Sequence, residues 1–301
     1  MRTKLFVPGS RPELLPKAMA GDADALSIDL EDAVTEGRKE YAREQVGLFT
    51  GSAAAVEGSK VIIVRVNAIS TPHFLPDVRA VVQPGLRMIN LPKVETPEEV
   101  REAANAIAQA ERANGIGRSE CYEVRPIGLL LTIESPKGLR AAAALAAADP
   151  RVTGLQIGYG DLLEPLGIVR YDSANVHAVM HAIRYAAAEA GVFAYDGAWA
   201  DVANAEGFRA EAEMAKRLGY LGKSCIHPSQ VPLGNSVFRP SDEEIAHSRQ
   251  VLAAAEAAEA GGVGAFMVNG RMIDGPFIAR ARTIVESADR LGLSRSSPQT
   301  P

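Results

Sequence analysis

The 301-residue chain reads as an α/β protein, a closed (β/α)8 TIM-type barrel, on three observations. Strand-like and helix-like runs alternate from end to end, with no second composition regime. Eight strand candidates can be counted, and such a barrel commonly takes about 250 residues as one unit. Three segments carry a single chemically capable residue at or just after a strand end: Arg65 in Val64-Arg65-Val66-Asn67, Glu134 in Thr132-Ile133-Glu134-Ser135, and Asp161 in Gly158-Tyr159-Gly160-Asp161-Leu162. In a parallel barrel the strand C-termini converge on one mouth, where chemistry sits. An open doubly wound sheet would need a glycine fingerprint to look functional, and no GxGxxG follows a strand.

Residues 4–7 form a short apolar strand, and Pro8-Gly9-Ser10 turns into a helix with Pro12 in its first turn and Leu14, Leu15 and Met19 on one face. A second strand covers 25–30, and a helix follows at 40–49. The β-branched run 60–66 is the clearest strand in the sequence. Strand 87–91 stops at Pro92. Thr96-Pro97-Glu98-Glu99 then starts a helix, with Thr as N-cap and acids in the first turn. Residues 126–133 read as a strand buried on both faces, with a helix at 138–148. Strand 154–157, helix 175–190, and strands 192–195 and 220–226 complete the count. Helices are expected at 242–260 and 276–291. The core therefore spans 1–235, a helical extension completing the barrel and the oligomer spans 236–293, and 294–301 is expected to be a disordered tail.

Hydrophobic residues make up 47% and charged residues 23%, enough for a large core. A net charge of −5 without a Lys/Arg cluster excludes a nucleic-acid footprint. No apolar run reaches the roughly 18 residues of a membrane span, and the first ten residues lack a signal-peptide pattern. Two cysteines, Cys121 and Cys225, have no metal spacing, which points to a reduced, cytoplasmic setting.

Glu134 and Asp161 are costly on buried strands unless their charge is compensated, and they repel unless a cation sits between them. Oxygen-only ligands select Mg2+, with Mn2+ as the alternative, and waters and substrate complete the shell. The plainer reading has Glu134 capping the next helix and Asp161 bonding a loop amide; the residues alone leave both open. Arg65 suits a carbonyl or enolate oxygen, or a structural ion pair with Asp29, Glu31 or Asp32. That acidic triplet is expected to orient metal-bound waters rather than ligate directly; helix capping, or pairing with Arg65 or Lys93, is the alternative. Tyr159, Gly160 and Asp161 are expected to turn backbone N–H groups toward an anionic substrate. His227 is expected to fix its loop through ring hydrogen bonds. Residues 270–276 read as a polar loop between the two terminal helices, where spacing alone makes Asp274 the N-cap of the last helix.

The motifs together resemble the citrate lyase β-subunit-like family of CoA-ester lyases, which includes malyl-CoA and citramalyl-CoA lyases. LFVPGS at 5–10, DLEDAV at 29–34, VRVN at 64–67, LPKVE at 91–95, ES at 134–135, GYGDL at 158–162, DG at 196–197, GKSCIHP at 222–228 and RMIDGP at 271–276 occur in family order. The resemblance implies a barrel with Mg2+ on Glu134 and Asp161, in a homotrimer or homohexamer whose C-terminal segment packs on a neighbouring subunit. It implies that Asp274 enters that neighbour's mouth as the acid/base group, and that Arg65 polarises a thioester carbonyl. The implied reaction is reversible cleavage of a malyl- or citramalyl-type CoA ester to an acyl-CoA and a 2-oxo acid such as glyoxylate or pyruvate. Alternatives are a citrate lyase β subunit acting on a carrier-bound citryl thioester, or a malate/citramalate synthase-thioesterase. Gly160, where the family often has an acid, and Trp199, where many members have Pro or Tyr, depart from the common pattern.

Overall fold

The computed structural model describes residues 1–116 and 126–293; Cys121 and the tail expected at 294–301 lie outside them. Eight parallel strands follow one another: β1 (Thr3–Pro8), β2 (Ala25–Asp29), β3 (Val61–Arg65), β4 (Met88–Leu91), β5 (Gly128–Ile133), β6 (Val152–Ile157), β7 (Phe193–Tyr195) and β8 (Lys223–Cys225). Neighbours in sequence are neighbours in the sheet, and β8 returns to pair with β1. The barrel closes between β7 and β8 through a parallel bridge from Asp196 to Lys223. Three backbone bonds make the seam: Leu221 N–H to Ala194 O (2.9 Å), Asp196 N–H to Gly222 O (2.9 Å) and Ser224 N–H to Asp196 O (3.0 Å). β2 and β5 are buried at every position, as expected of strands covered on both faces.

A helix follows each strand. The Pro97–Ala113 helix opens with a capping box between Thr96 and Glu99 and buries Val100, Ala103, Ala104, Ile107 and Ala110, the spacing of one helical face. Ser135 caps the helix Pro136–Ala146 by accepting the Gly138 N–H at 3.0 Å. Glu134 is therefore not the cap, and its side chain is released for other work. The helices Phe74–Val81, Ala205–Arg217 and Gln230–Phe238, and a single turn at Tyr159–Leu163, were not legible from periodicity. No helix among the described residues is long and apolar enough to cross a membrane.

The chain divides after Phe238 into two compact units, and all eight strands lie in the first. The helix Gln230–Phe238 belongs there too, because the Asn235 amide oxygen accepts the Thr3 hydroxyl at 2.8 Å. The second unit has its own small core of Val251, Val268, Ile273 and Ala281. It contains the helices Asp242–Ala260 and Gly275–Arg290 and an antiparallel hairpin, β9 (Phe266–Val268) with β10 (Arg271–Ile273). The segment 270–276 was expected to be a loop. Asn269 and Gly270, both at positive φ, instead make the two-residue turn that a twisted hairpin favours.

A buried ion network lies against the barrel seam. Lys223, fully buried, donates to Asp196 at 2.6 Å and to Glu211 at 2.7 Å. Arg170 grips the same Glu211 with two bonds of 2.7 and 2.9 Å. Burial works to raise the Glu211 carboxyl, yet the Lys223 and Arg170 charges hold it below its ordinary value. Removing the ammonium would leave Asp196 and Glu211 in low dielectric with too little positive charge. Lys223→Met is therefore expected to cost about 3–5 kcal/mol of stability, read from the urea midpoint. A loss under about 1 kcal/mol would mean that Asp196 and Glu211 are satisfied without it.

Candidate active site

The C-terminal ends of the strands open onto a cavity of about 600 Å³ whose walls include Phe6, Arg65, Glu134, Gln156, Tyr159 and Asp161. Arg65 ends β3, directly in register with Asp29 at the end of β2. Register makes the pair: the guanidinium takes both Asp29 oxygens, Nε to Oδ1 at 2.7 Å and Nη2 to Oδ2 at 2.6 Å. Its third nitrogen meets Glu31 at 2.8 Å and Asp32 at 3.2 Å. Burial works against that charge, but the Asp29 bonds and the acids around it hold Arg65 above the usual arginine range. The acidic triplet expected to orient metal-bound waters thus surrounds the arginine. Asp29 also accepts the backbone N–H groups of Glu31 and Ala33, each at 3.0 Å, so its own orientation is fixed.

Lys93 sits in the left-handed region, with φ 53, a conformation costing a residue with a Cβ about 1–3 kcal/mol. The turn aims its N–H at Glu134 Oε1, 2.6 Å away. Its ammonium pairs with Glu31 at 2.7 Å and lies 3.4 Å from Asp32 and 3.8 Å from Asp161. Glu134 is 5% exposed. Burial pushes its carboxyl up to about 8; repulsion from Glu31 and Asp161 adds to the rise, and the Lys93 N–H opposes it. Gly158 leaves room for this side chain. Asp161, on the single turn after β6, is half exposed to the same cavity. That turn starts at Tyr159 with no side-chain cap, so its first backbone N–H groups have no partner within the turn.

Several functional contacts escaped the sequence reading. Tyr159 turns its hydroxyl away from the cavity mouth to donate to buried Asp196 at 2.8 Å. Its ring lies 4.0 Å from the Arg170 guanidinium. Lys39 donates to the carbonyls of Leu30 and Glu31, both at 3.0 Å, and to Asn67 at 2.6 Å, which ties the acidic loop to the end of β3. Fully buried Lys4 donates to Gln156. His227 behaves as expected, its Nδ1 against the Ser229 hydroxyl at 2.8 Å and the Ser229 N–H at 3.2 Å. Asp274 belongs to the second unit. It occupies the N-cap position of Gly275–Arg290 without making the capping bond, and its Oδ1 is buried with no partner among the described residues. The cap that spacing suggested is not made.

The residues facing the cavity fit a hard divalent cation. The donors are oxygens, and burial, with repulsion from Glu31 and Asp161, raises the Glu134 carboxyl, a rise that a bound cation would oppose. Among the described residues no three His, Cys, Asp or Glu side chains converge as a ready-made cage. A cation here would take two carboxylates and fill its shell with water and substrate, the habit of Mg2+.

The HpcH/HpaI aldolase/citrate lyase family matches residues 2–228. The chain is 36% identical over 293 residues to citrate lyase subunit beta of Escherichia coli K12, covering 97% of this chain and 94% of that protein. It is 33% identical over 311 residues to the L-malyl-CoA/beta-methylmalyl-CoA lyase of Cereibacter sphaeroides, covering 96% and 95%. Among solved structures, CitE of Mycobacterium tuberculosis in complex with magnesium, acetoacetate and coenzyme A superposes with a TM-score of 0.73 at 31% identity, covering 96% of this chain and 100% of that one.

A Cβ at Gly158 would lie 2.3 Å from Glu134 Oε2 and 2.6 Å from its Cβ. Gly158→Ala should therefore displace the carboxylate and weaken divalent-cation binding about 10–100-fold, measured by calorimetric titration. Unchanged affinity would remove Glu134 from the ligand set.

Proposed function

We propose, from the premise that this chain belongs to the HpcH/HpaI aldolase/citrate lyase family, that it is a carbon–carbon lyase. It cleaves the thioester of a 3-hydroxy-3-carboxyacyl group reversibly into an acyl-CoA and a 2-oxo acid. The observation that carries the reading is one cavity faced by Glu134, Asp161 and Arg65, in a chain whose relatives at about a third identity are named lyases. Mg2+ would be held by Glu134 and Asp161; when bound it supplies fixed positive charge to the carboxylate and oxygen of the 2-oxo acid.

The chain's own residues account for the rest. Arg65, its plane fixed by Asp29, donates to the thioester carbonyl and stabilises the enolate oxygen that forms as the C–C bond breaks. A preorganised donor of this kind needs no rearrangement at the moment of reaction. Asp274, supplied by a neighbouring subunit of a homotrimer or homohexamer, takes the hydroxyl proton as the bond electrons pass into the thioester. The enolate carbon then takes back one proton, matching the one Asp274 accepted, and the acyl-CoA leaves. Backbone N–H groups at Tyr159, Gly160 and Asp161 face the substrate carboxylate.

A second cavity, about 540 Å³, supports the thioester arm. It shares Phe6, Pro8 and Ile226 with the mouth and adds Arg11, Lys17 and His227. Apolar walls with cations at the rim suit a long pantetheine chain carrying phosphates. No compact sequence motif marks this surface, because its residues come from the segment around β1 and the segment after β8, far apart in the chain.

Offered malyl-, methylmalyl-, citramalyl- and citryl-CoA in turn, the protein should release acyl-CoA and 2-oxo acid from at least one of them with Mg2+ and not with EDTA. Glu134→Gln and Asp161→Asn should each lose turnover, by 10³-fold or more on the order expected for a lost metal, with the fold kept. Full activity in either variant would sink the metal assignment. Cleavage of no CoA ester, with 2-oxo acid still binding, would favour a carrier-bound thioester. Asp274→Asn and Arg65→Ala, each inactive alone, should regain activity when mixed as hybrid oligomers. Verified hybrids without activity would argue against a shared site.

A further inference from the structure

We propose that Gln156, held in one orientation by Lys4, determines specificity for the fourth substituent of the substrate's carbinol carbon, and that this substituent carries an oxygen. The inference rests on the lyase reading and deepens it. Four groups surround that carbon. The hydroxyl and carboxylate go to the cation site and the thioester arm goes toward the Arg11–Lys17 groove. The remaining group, hydrogen, methyl or a longer chain according to substrate, faces the cavity floor.

Gln156 forms that floor. It lies on β6, level with Thr132 of β5 and Tyr195 of β7, lines the cavity, and is 4% exposed. The Lys4 ammonium, fully buried on β1, donates to its Oε1. Burial draws Lys4 well below the usual lysine range, with Arg65 adding to the fall and Asp29 opposing it. Either form has N–H groups for Oε1, but only the ammonium lacks a lone pair that could take Nε2 instead, so the orientation is set with Lys4 charged. With the amide oxygen committed, the edge that Gln156 keeps for the cavity is its Nε2, a donor only. Among the described residues no acceptor takes it. The neighbouring wall groups do not compete: the Thr132 hydroxyl donates to Asn90 Oδ1 at 2.7 Å, and Phe6, 4.6 Å from Lys4 Nζ, is apolar. A hydrogen or methyl substituent would leave this donor unsatisfied, whereas a hydroxyl or carboxylate would accept its proton. The substrate class that fits is a 3-hydroxy-3-carboxyacyl thioester whose C3 bears an oxygenated arm, and its product is a 2-oxo acid with an oxygen on C3 or beyond.

Hydroxypyruvate and pyruvate carry the same charge and differ by one hydroxyl, so their affinities for the Mg2+-loaded protein isolate the subsite. Titration calorimetry should find hydroxypyruvate bound about 10-fold more tightly by the wild type, the size of one well-made hydrogen bond. Gln156→Met should bring the ratio to about 1 by weakening hydroxypyruvate. Gln156→Glu keeps an acceptor for Lys4 but has no N–H, and should also abolish the preference. Lys4→Met frees the amide to turn and should lower the ratio part way, a change that a merely structural lysine would not produce. A wild-type ratio near 1, or a ratio that survives both Gln156 variants, overturns the proposal. Wild-type protein that shows the preference but cleaves no thioester would sink the lyase reading and not the subsite. Binding of neither acid would overturn both.

Discussion

The mouth of this barrel is organised by a charge imbalance. Within it five carboxylates, Asp29, Glu31, Asp32, Glu134 and Asp161, cluster around Arg65 and Lys93. In a partly buried site such charges cannot be left to solvent, so the cations are shared out by reach and register. Arg65 gives its charge and all but one of its N–H groups to the triplet on β2 and its loop, and Lys93 stands nearest Glu31. What remains for Glu134 is one backbone N–H, and for Asp161 an ammonium 3.8 Å away. The unmet negative charge is thus gathered at these two residues, where a hard cation is best received. The strained backbone at Lys93 belongs to the same arrangement, since one residue supplies an N–H to Glu134 and an ammonium to Glu31.

This distribution explains why the sequence singled out residues that share one cavity but not their wiring. Arg65 and Glu134 could be found because each ends an apolar run, and Asp161 because it closely follows one. Parallel-barrel topology alone brings such ends together. Which acid would hold Arg65 depended on the β2–β3 register, and register is a property of two distant strands. The sequence left Asp29, Glu31 and Asp32 open to metal-bound waters, to helix capping or to pairing with Arg65 or Lys93, and the structure shows the pairing. Lys4 with Gln156 and Tyr159 with Asp196 were hidden for the same reason, being contacts across 152 and 37 residues. The hairpin at Asn269-Gly270 is different: its local signal was present, flanked by short apolar runs, and was passed over because the segment looked polar. For Asp274, spacing predicted a cap that the structure does not make; its buried Oδ1 has no partner among the described residues, so local pattern misled there.

Stability and chemistry meet at Tyr159. The seam between β7 and β8 is the shortest-stranded part of the barrel, three residues a side, and a short parallel ladder closes weakly by itself. The Lys223–Asp196–Glu211–Arg170 network compensates for that weakness, and its outer members reach the active site. Asp196 accepts the Tyr159 hydroxyl, and Arg170 stacks on the Tyr159 ring. Tyr159 begins the single helical turn that carries Asp161. A turn of five residues has little stability of its own, so the position of the Asp161 carboxylate is inherited from its anchor. The buried ions at the seam therefore also hold one side of the proposed cation site still, whereas the opposite side, Glu134, is held by the Lys93 backbone. Each carboxylate is fixed by a different means, and neither depends on the other being in place. A site assembled in this way is formed before any ligand arrives, so binding energy can go to the transition state rather than to ordering the protein.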